Sequence, residues 1–193
     1  MHQLTMVHLD PASAAAPAVP AGVVLRTYQP GDETHWAALI NATDMAAGYD
    51  LVKTRECLTG KAIFDPAGFF LAFDETTGEP LATACAWQSA KFGRPAVPTL
   101  HMVAAKAQAK GRGLGRLVCQ AVLHYFGGRG ADMVVLTTDD HRIPAIVVYV
   151  KLGWLPVRQV EDEDHSARWQ AVFEQFSGRC GPLRFADPAA LGA

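Results

Sequence analysis

Three glycines at alternate positions, Gly111, Gly113 and Gly115, stand inside Ala105-Lys-Ala-Gln-Ala-Lys-Gly-Arg-Gly-Leu-Gly-Arg116. Without a Cβ, glycine lets the backbone turn sharply and bring its N–H groups close to a ligand. An apolar strand pattern precedes these glycines and an amphipathic helix pattern follows. A helix start leaves its first four N–H groups without internal partners. Strand, glycine turn and helix start in that order make a cradle for a phosphate or pyrophosphate. Lys106, Lys110, Arg112 and Arg116 flank the cradle. No Asp or Glu occurs from Pro80 to Ala131, whereas Lys91, Arg94, Lys106, Lys110, Arg112, Arg116 and Arg129 do. Such asymmetry focuses positive potential. The alternative is an ordinary glycine turn with solvated Lys and Arg beside it; the spacing and the flanking pattern favour the anion site.

The elements that must position this loop are legible on both sides. Thr99 to Ala105 is the strand that feeds it. After it, Leu114, Leu117, Val118, Ala121, Val122 and Tyr125 fall three and four apart, the clearest helix in the chain. Gly127 and Gly128 end that helix, and Asp132 to Thr138 is a buried strand. From Asp139 to Trp154, Ile146, Val147, Val148 and Val150 favour strand. Pro144 in a first turn, Lys151 in a last turn and Gly153 just beyond it favour a short helix, which is the expectation here.

Upstream, Gly22 to Tyr28 reads as a strand, and Asp32 as the cap of a helix carrying Trp36, Leu39 and Ile40. A shorter helix is expected over Asp50 to Leu58, closed by Gly60. Gly68 to Phe73 and Leu81 to Trp87 form a hairpin about a turn at Glu75 to Gly78. Downstream, Trp154 to Val160 reads as a strand. The acids Glu161 to Asp164 open a helix with Trp169, Val172, Phe173 and Phe176 at helical spacing. The order is mixed α/β with a largely antiparallel N-terminal half.

The whole chain sets bounds. It has 193 residues, half of them hydrophobic (50%), which suits one domain with a real core. A net charge of -2 argues against a nucleic-acid binder that works by bulk charge. Cys57, Cys85, Cys119 and Cys180 are scattered, which disfavours a zinc site or disulfide framework and suits a reducing, cytoplasmic setting. No signal peptide or membrane span is read. Residues 1–21, Ala- and Pro-rich from Pro11, are expected to be a flexible leader, residues 22–178 the domain, and 179–193 a tail.

In its two glycine and aromatic signatures the chain resembles the GCN5-related N-acetyltransferase (GNAT) family. The family's phosphate loop, Gln/Arg-x-x-Gly-x-Gly/Ala, is matched by Lys110-Gly-Arg-Gly113-Leu-Gly115, with Lys110 in place of Gln or Arg. Gln108-Ala-Lys-Gly111-Arg-Gly113 also matches; the later register leads directly into the helix at Leu114. The second signature, Asn-x-x-Ala-x-x-x-Tyr with a Gly-Phe ending, is met by Ala145, Tyr149, Gly153 and Trp154, with Arg142 where Asn is common. The resemblance runs from Gly22 to about Val160. A helix after Val160, instead of the usual final strand, departs from it.

The resemblance implies a mostly antiparallel sheet with a splayed central strand pair and helices on both faces. It also implies acetyl-CoA as donor, with no metal. Backbone of Met102, Val103, Ala104 and Ala105 would pair with the pantetheine arm and hold the thioester oxygen. Lys110, Gly111, Arg112, Gly113, Leu114, Gly115 and Arg116 would hold the pyrophosphate, with Arg142 and Ala145 on the next helix. Tyr149 matches the family's general acid for the leaving sulfur; otherwise it is a half-buried helix Tyr. His101 is the candidate base, though a lone His in an apolar strand is more often core. Asp139 and Asp140 could reach the site or cap the next helix. Glu33, His165 and Arg168 could border the acceptor or be surface groups. The expected activity is acetyl transfer to an amine, a small molecule or a peptide, by a monomer or homodimer. The alternatives are a non-catalytic acyl-CoA-binding domain and a nucleotide-binding enzyme. The last is opposed by the absence of a P-loop Lys-Ser/Thr and of GxGxxG spacing at the loop.

Overall fold

The structure is a computed structural model describing residues 3–43, 47–158, 163–176, 178, 180–182, 184–187 and 191. Val160 and Glu161, expected to end the last strand and begin the acid cluster, lie outside these residues. Seven strands form one sheet: β1 (Leu4–His8), β2 (Val23–Thr27), β3 (Phe69–Asp74), β4 (Pro80–Lys91), β5 (Arg94–Ala105), β6 (Val134–Thr138) and β7 (Leu155–Pro156). Their order across the sheet is β2-β3-β4-β5-β6-β1-β7. Every neighbouring pair is antiparallel except β5 and β6. The helices are α1 (Asp32–Asn41), α2 (Leu51–Thr54, continued by a π-turn to Thr59), α3 (Leu114–Gly127), α4 (Ile143–Lys151) and α5 (Glu163–Glu174).

Strand alternation sorts the core into layers. On one face Leu4, Met6, Ala82, Ala84, Leu100, Val134 and Leu136 pack against Leu117, Val118 and Val122 of α3, Ile146 and Tyr149 of α4, and Trp169, Val172 and Phe173 of α5. On the other face Phe69, Leu71, Phe73 and Cys85 pack under Trp36, Ile40 and Leu58. Beyond them Val7, Val97 and Val135 are covered by Val157, Ala186 and Leu191. The expected C-terminal tail is thus partly docked: Ala186 N donates to Pro156 O at 2.9 Å.

Two expectations are corrected. The leader contains β1, whose apolar residues Leu4, Met6 and Val7 have no exposed surface. It pairs with β6 from Leu4↔Thr138 to His8↔Val134 and with β7 at Met6↔Pro156. Five residues within a short polar-apolar mix give little periodicity, so only the sheet makes this strand evident. Asp32 is the first residue of α1, not its cap. The cap is Gly31 at φ 100, and Asp32 instead accepts from Gln29 N at 2.7 Å and from both Nη atoms of Arg26.

The β-branched run in α4 is helical, as expected from its flanks. Trp154 N bonds Tyr149 O at 3.1 Å and Gly153 N bonds Val150 O at 3.0 Å, with Gly153 at φ 91. These are the two bonds of a glycine-terminated helix end. His8 completes that end by donating from Nε2 to Leu152 O at 3.1 Å.

Candidate active site: the slot between β5 and β6

The two parallel strands share one partner pair among the described residues, Thr99↔Val135, and part beyond it. The slot so opened holds a cleft of ≈ 220 Å³, walled by residues 99–103 on one side and 136–139 on the other, with Gln3, Arg142 and Tyr149. β5 is also irregular here. Thr83 pairs with Ala104 and Cys85 with His101, so two residues, Met102 and Val103, oppose Ala84 alone. Met102 takes φ 51, the left-handed region that a side chain rarely adopts. This bulge re-aims the backbone of β5 at the slot.

Ordinary strand alternation just before the bulge decides which way the side chains face. Leu100 lies in the layer under α3 and α4, whereas His101 stacks on Trp87 with ring centroids 5.4 Å apart, on the α1 side. Tyr149 lies in the α3/α4 layer and is only 6% exposed. The slot therefore has a phenol on one face of the sheet and an imidazole on the other. Burial pushes the Tyr149 phenol far above its ordinary value, with the neighbouring Cys119 adding to the effect. Burial lowers the His101 imidazole below its ordinary 6.5, so it is neutral at pH 7.

The other acid–base candidates are tied down. Asp139 lines the slot but accepts from Gln3 Nε2 at 3.1 Å and from Arg142 Nε at 3.0 Å. Asp140 takes both Nε and Nη2 of Arg168, at 2.9 and 2.5 Å. Both carboxyls are held below the usual carboxylate range by these partners, Gln3 first for Asp139 and Arg168 first for Asp140. Glu33 is buried rather than solvated, accepting from Gly31 N, Arg55 Nε and Thr59 Oγ1. His165 is wholly buried, away from any surface role.

At the open end of the slot the glycine loop leads into α3. Gly111 and Gly113 have φ 83 and 74, conformations that explain glycine directly. Gly113 is the N-cap of α3 and, having no side chain, offers no cap bond to the helix's first N–H groups. Gly115 is different. It is helical, and a Cβ built on it meets nothing within 4 Å. Packing among the described residues does not call for glycine there, and its absent side chain leaves the backbone open to close approach.

The positive field is narrower than the sequence suggested. Lys106 pairs with Glu79 at 2.5 Å, Arg94 with Asp132 at 2.9 Å, Arg112 with Asp74 at 3.5 Å and Arg129 with Asp65 at 3.7 Å. These carboxylates come from other parts of the chain. Among the described residues Lys110 and Arg116 remain beside the loop without a carboxylate partner. Ala104 is buried under α1, while Ala105 and Lys106 follow the slot rather than line it. Ala145 is half-buried on α4, outside the cleft wall.

Sequence reasoning missed Gln3, Thr137 and Thr138. Gln3 sits just before the unrecognised β1. Thr138 is 3% exposed, and its hydroxyl has no hydrogen-bond partner among the described residues. No cluster of three or more His, Cys, Asp or Glu able to hold a metal occurs among the described residues. No described helix is long and apolar enough to cross a membrane.

Comparison with known proteins gives three concordant results. The family described as Acetyltransferase (GNAT) matches residues 32–154. Mycothiol acetyltransferase of Tsukamurella paurometabola is 35% identical over 158 residues, 77% of this chain and 52% of that protein. The protein of the same name from Nocardia farcinica is 36% identical over 143 residues, 72% of this chain and 47% of that one. The chain thus spans about half the length of these curated relatives. A GCN5-related N-acetyltransferase structure from Sphaerobacter thermophilus superposes with a TM-score of 0.66 at 22% identity, over 81% of this chain and 49% of that one.

Proposed function

This chain belongs to the acetyltransferase (GNAT) family, and we propose that it transfers an acetyl group from acetyl-CoA to an amine by direct attack on the thioester. The observation that carries the reading is the continuity of three features. An uncapped helix start with open space at Gly115 lies at one end, a splayed strand pair follows, and a phenol and an imidazole face the slot from opposite sides.

Acetyl-CoA supplies an activated acyl group and a thiolate leaving group. The N–H groups at the start of α3, with Lys110 and Arg116, bind its diphosphate. Arg112 contributes less than the sequence implied, because Asp74 and Gly22 O already hold it. Backbone of Met102 and Val103, re-aimed by the bulge, lines the path of the pantetheine arm as an added strand. An N–H there holds the thioester oxygen as charge builds on it.

His101 receives the proton of the attacking amine. It is neutral at pH 7 and lies on the face away from Tyr149, so the amine enters from the α1 side. Tyr149 keeps its proton at any working pH. With a phenol so weakly acidic, it stabilises the departing sulfur by donating a hydrogen bond rather than by complete transfer. Asp139 and Asp140 do not act as bases, since their pairing keeps them ionised and weakly basic.

The working unit includes β1, so it extends N-terminal to Gly22. The relatives named mycothiol acetyltransferase put an acceptor amine of that kind at the head of a test panel that also holds small amines and peptides. Calorimetry with acetyl-CoA, followed by thiol release over that panel, tests the reading. Binding with acceptor-dependent thiol release supports it. Binding without release on any acceptor turns the reading to a non-catalytic acyl-CoA-binding domain, and no binding rejects both.

A further inference from the structure

Asp74 and Glu79 bracket the turn between β3 and β4, and each meets a cation of the glycine loop. Glu79 Oε1 takes Lys106 Nζ at 2.5 Å, where β5 gives way to the loop. Asp74 Oδ2 lies 3.5 Å from Nη1 of Arg112, the residue between Gly111 and Gly113. Arg112 also donates from Nη2 to Gly22 O at 3.3 Å. The turn that presents these carboxylates is closed by its own bonds. Asp74 N donates to Glu79 O at 2.9 Å, and Thr76 N and Thr77 N both donate to Asp74 Oδ1 at 3.1 Å. Glu75 N donates to Gly22 O at 3.1 Å. The residue before β2, the β3–β4 turn and the glycine loop therefore meet at one carbonyl.

The loop has little else to hold it here. Gly111 and Gly113 have φ 83 and 74, and a glycine backbone has more freedom to lose than any other. On one side Ala109 is packed in the core; on the other Leu114 begins α3 and is buried. Between them Arg112 is the one described residue whose side chain makes a polar contact with another part of the chain. The carboxylate it meets would oppose an anion beside it by Coulomb repulsion.

We propose that Arg112 is a positioning residue for the donor's diphosphate: anchored on Asp74 and Gly22 O, it holds the glycine loop in its anion-cradling shape and does not itself bind phosphate. This rests on the reading that the loop takes acyl-CoA. The anchor orders the loop on folding, so less freedom is lost when the ligand arrives. The β3–β4 turn becomes part of the donor site without touching the donor. Arg112 as a direct phosphate ligand predicts the opposite sign: removing the charge of Asp74 would free the guanidinium and strengthen binding.

The probe is acetyl-CoA, titrated calorimetrically into the full chain. Wild-type binding is the control; its absence would be a failure of the proposed function, not of this inference. Asp74→Asn keeps an oxygen for Thr76 and Thr77 N–H and removes the charge that Arg112 meets. Affinity should fall about two- to fivefold, the scale of an exposed ion pair, although the loop has gained net positive charge. Arg112→Ala loses both ties and should weaken binding about tenfold. The double variant should bind no more weakly than Arg112→Ala alone, because both substitutions break one link. Amide hydrogen exchange of the free protein should quicken over residues 110–114 in both single variants, with residues 118–127 unchanged. In steady state KM for acetyl-CoA should rise with little change in kcat. Tighter binding in Asp74→Asn overturns the proposal and makes Arg112 a phosphate ligand; unchanged binding overturns it as well. So does weaker binding with unaltered exchange in the loop.

Discussion

Thr99 on β5 stands opposite Val135 on β6, and beyond that one pair the two parallel strands have no further partners among the described residues. Every other strand boundary in the sheet is antiparallel. The slot is therefore a defect in pairing with a defined origin. Parallel neighbours separate, and the bulge at Met102 turns the freed edge toward the gap.

Tyr149→Phe removes the hydroxyl and little else, because the ring remains packed against Trp154 at 6.1 Å. Turnover should fall by roughly a hundredfold, the usual scale for a positioned proton or hydrogen-bond donor. Acetyl-CoA affinity should stay close to wild type. Unchanged turnover with intact binding removes Tyr149 from the chemistry.

His101 should set the acidic limb of the kcat profile. Its folded-state value lies below 6.5, so the imidazole gains its proton, and the enzyme loses its base, only as pH falls past that depressed value. His101→Ala should abolish this limb and lower kcat at pH 7, with binding preserved. A limb that persists unchanged in the variant belongs to another group.

Gly115→Ala separates stability from ligand binding. The added methyl meets nothing within 4 Å, and alanine in a helix is more favourable than glycine by about 0.5–1 kcal/mol. The variant should melt at a slightly higher temperature yet bind acetyl-CoA more weakly, because the methyl fills the space at the helix start. A rise in melting temperature with undiminished affinity would show that the diphosphate lies elsewhere.

His8 gives stability a pH dependence. Burial lowers its pKa from the ordinary 6.5, outweighing the bond to Leu152 and the charge of Asp10. The unfolded chain thus binds a proton that the folded chain resists. The contribution of neutral His8 is complete above 6.5 and is lost as pH falls through the lower folded value. Chemical denaturation should show stability declining over that interval, with a shallower decline in His8→Gln. An identical slope in the variant would assign the decline to other groups, His101 first.

Local signals in the sequence were enough to determine α3 with its glycine loop and α4 with its Schellman-type end. In both cases the deciding residues sit in consecutive turns: Gly113 before Leu114, and Gly153 after a run that propensity alone would make a strand. Tyr149 and His101 were candidates through the family resemblance, Tyr149 by its place in the second signature and His101 by its place on the central strand. Tertiary structure alone decided the rest. It made β1 a strand, because five residues show their burial only when β6 and β7 flank them. It reduced the cationic stretch to Lys110 and Arg116 beside the loop, because the carboxylates that meet Lys106 and Arg112 come from other strands and turns. It also paired Asp139 with Gln3 and Arg142 and Asp140 with Arg168, and placed Tyr149 and His101 on opposite faces. Side-chain direction and charge pairing depend on which segments become neighbours, and neighbours distant in sequence leave no periodic trace in it.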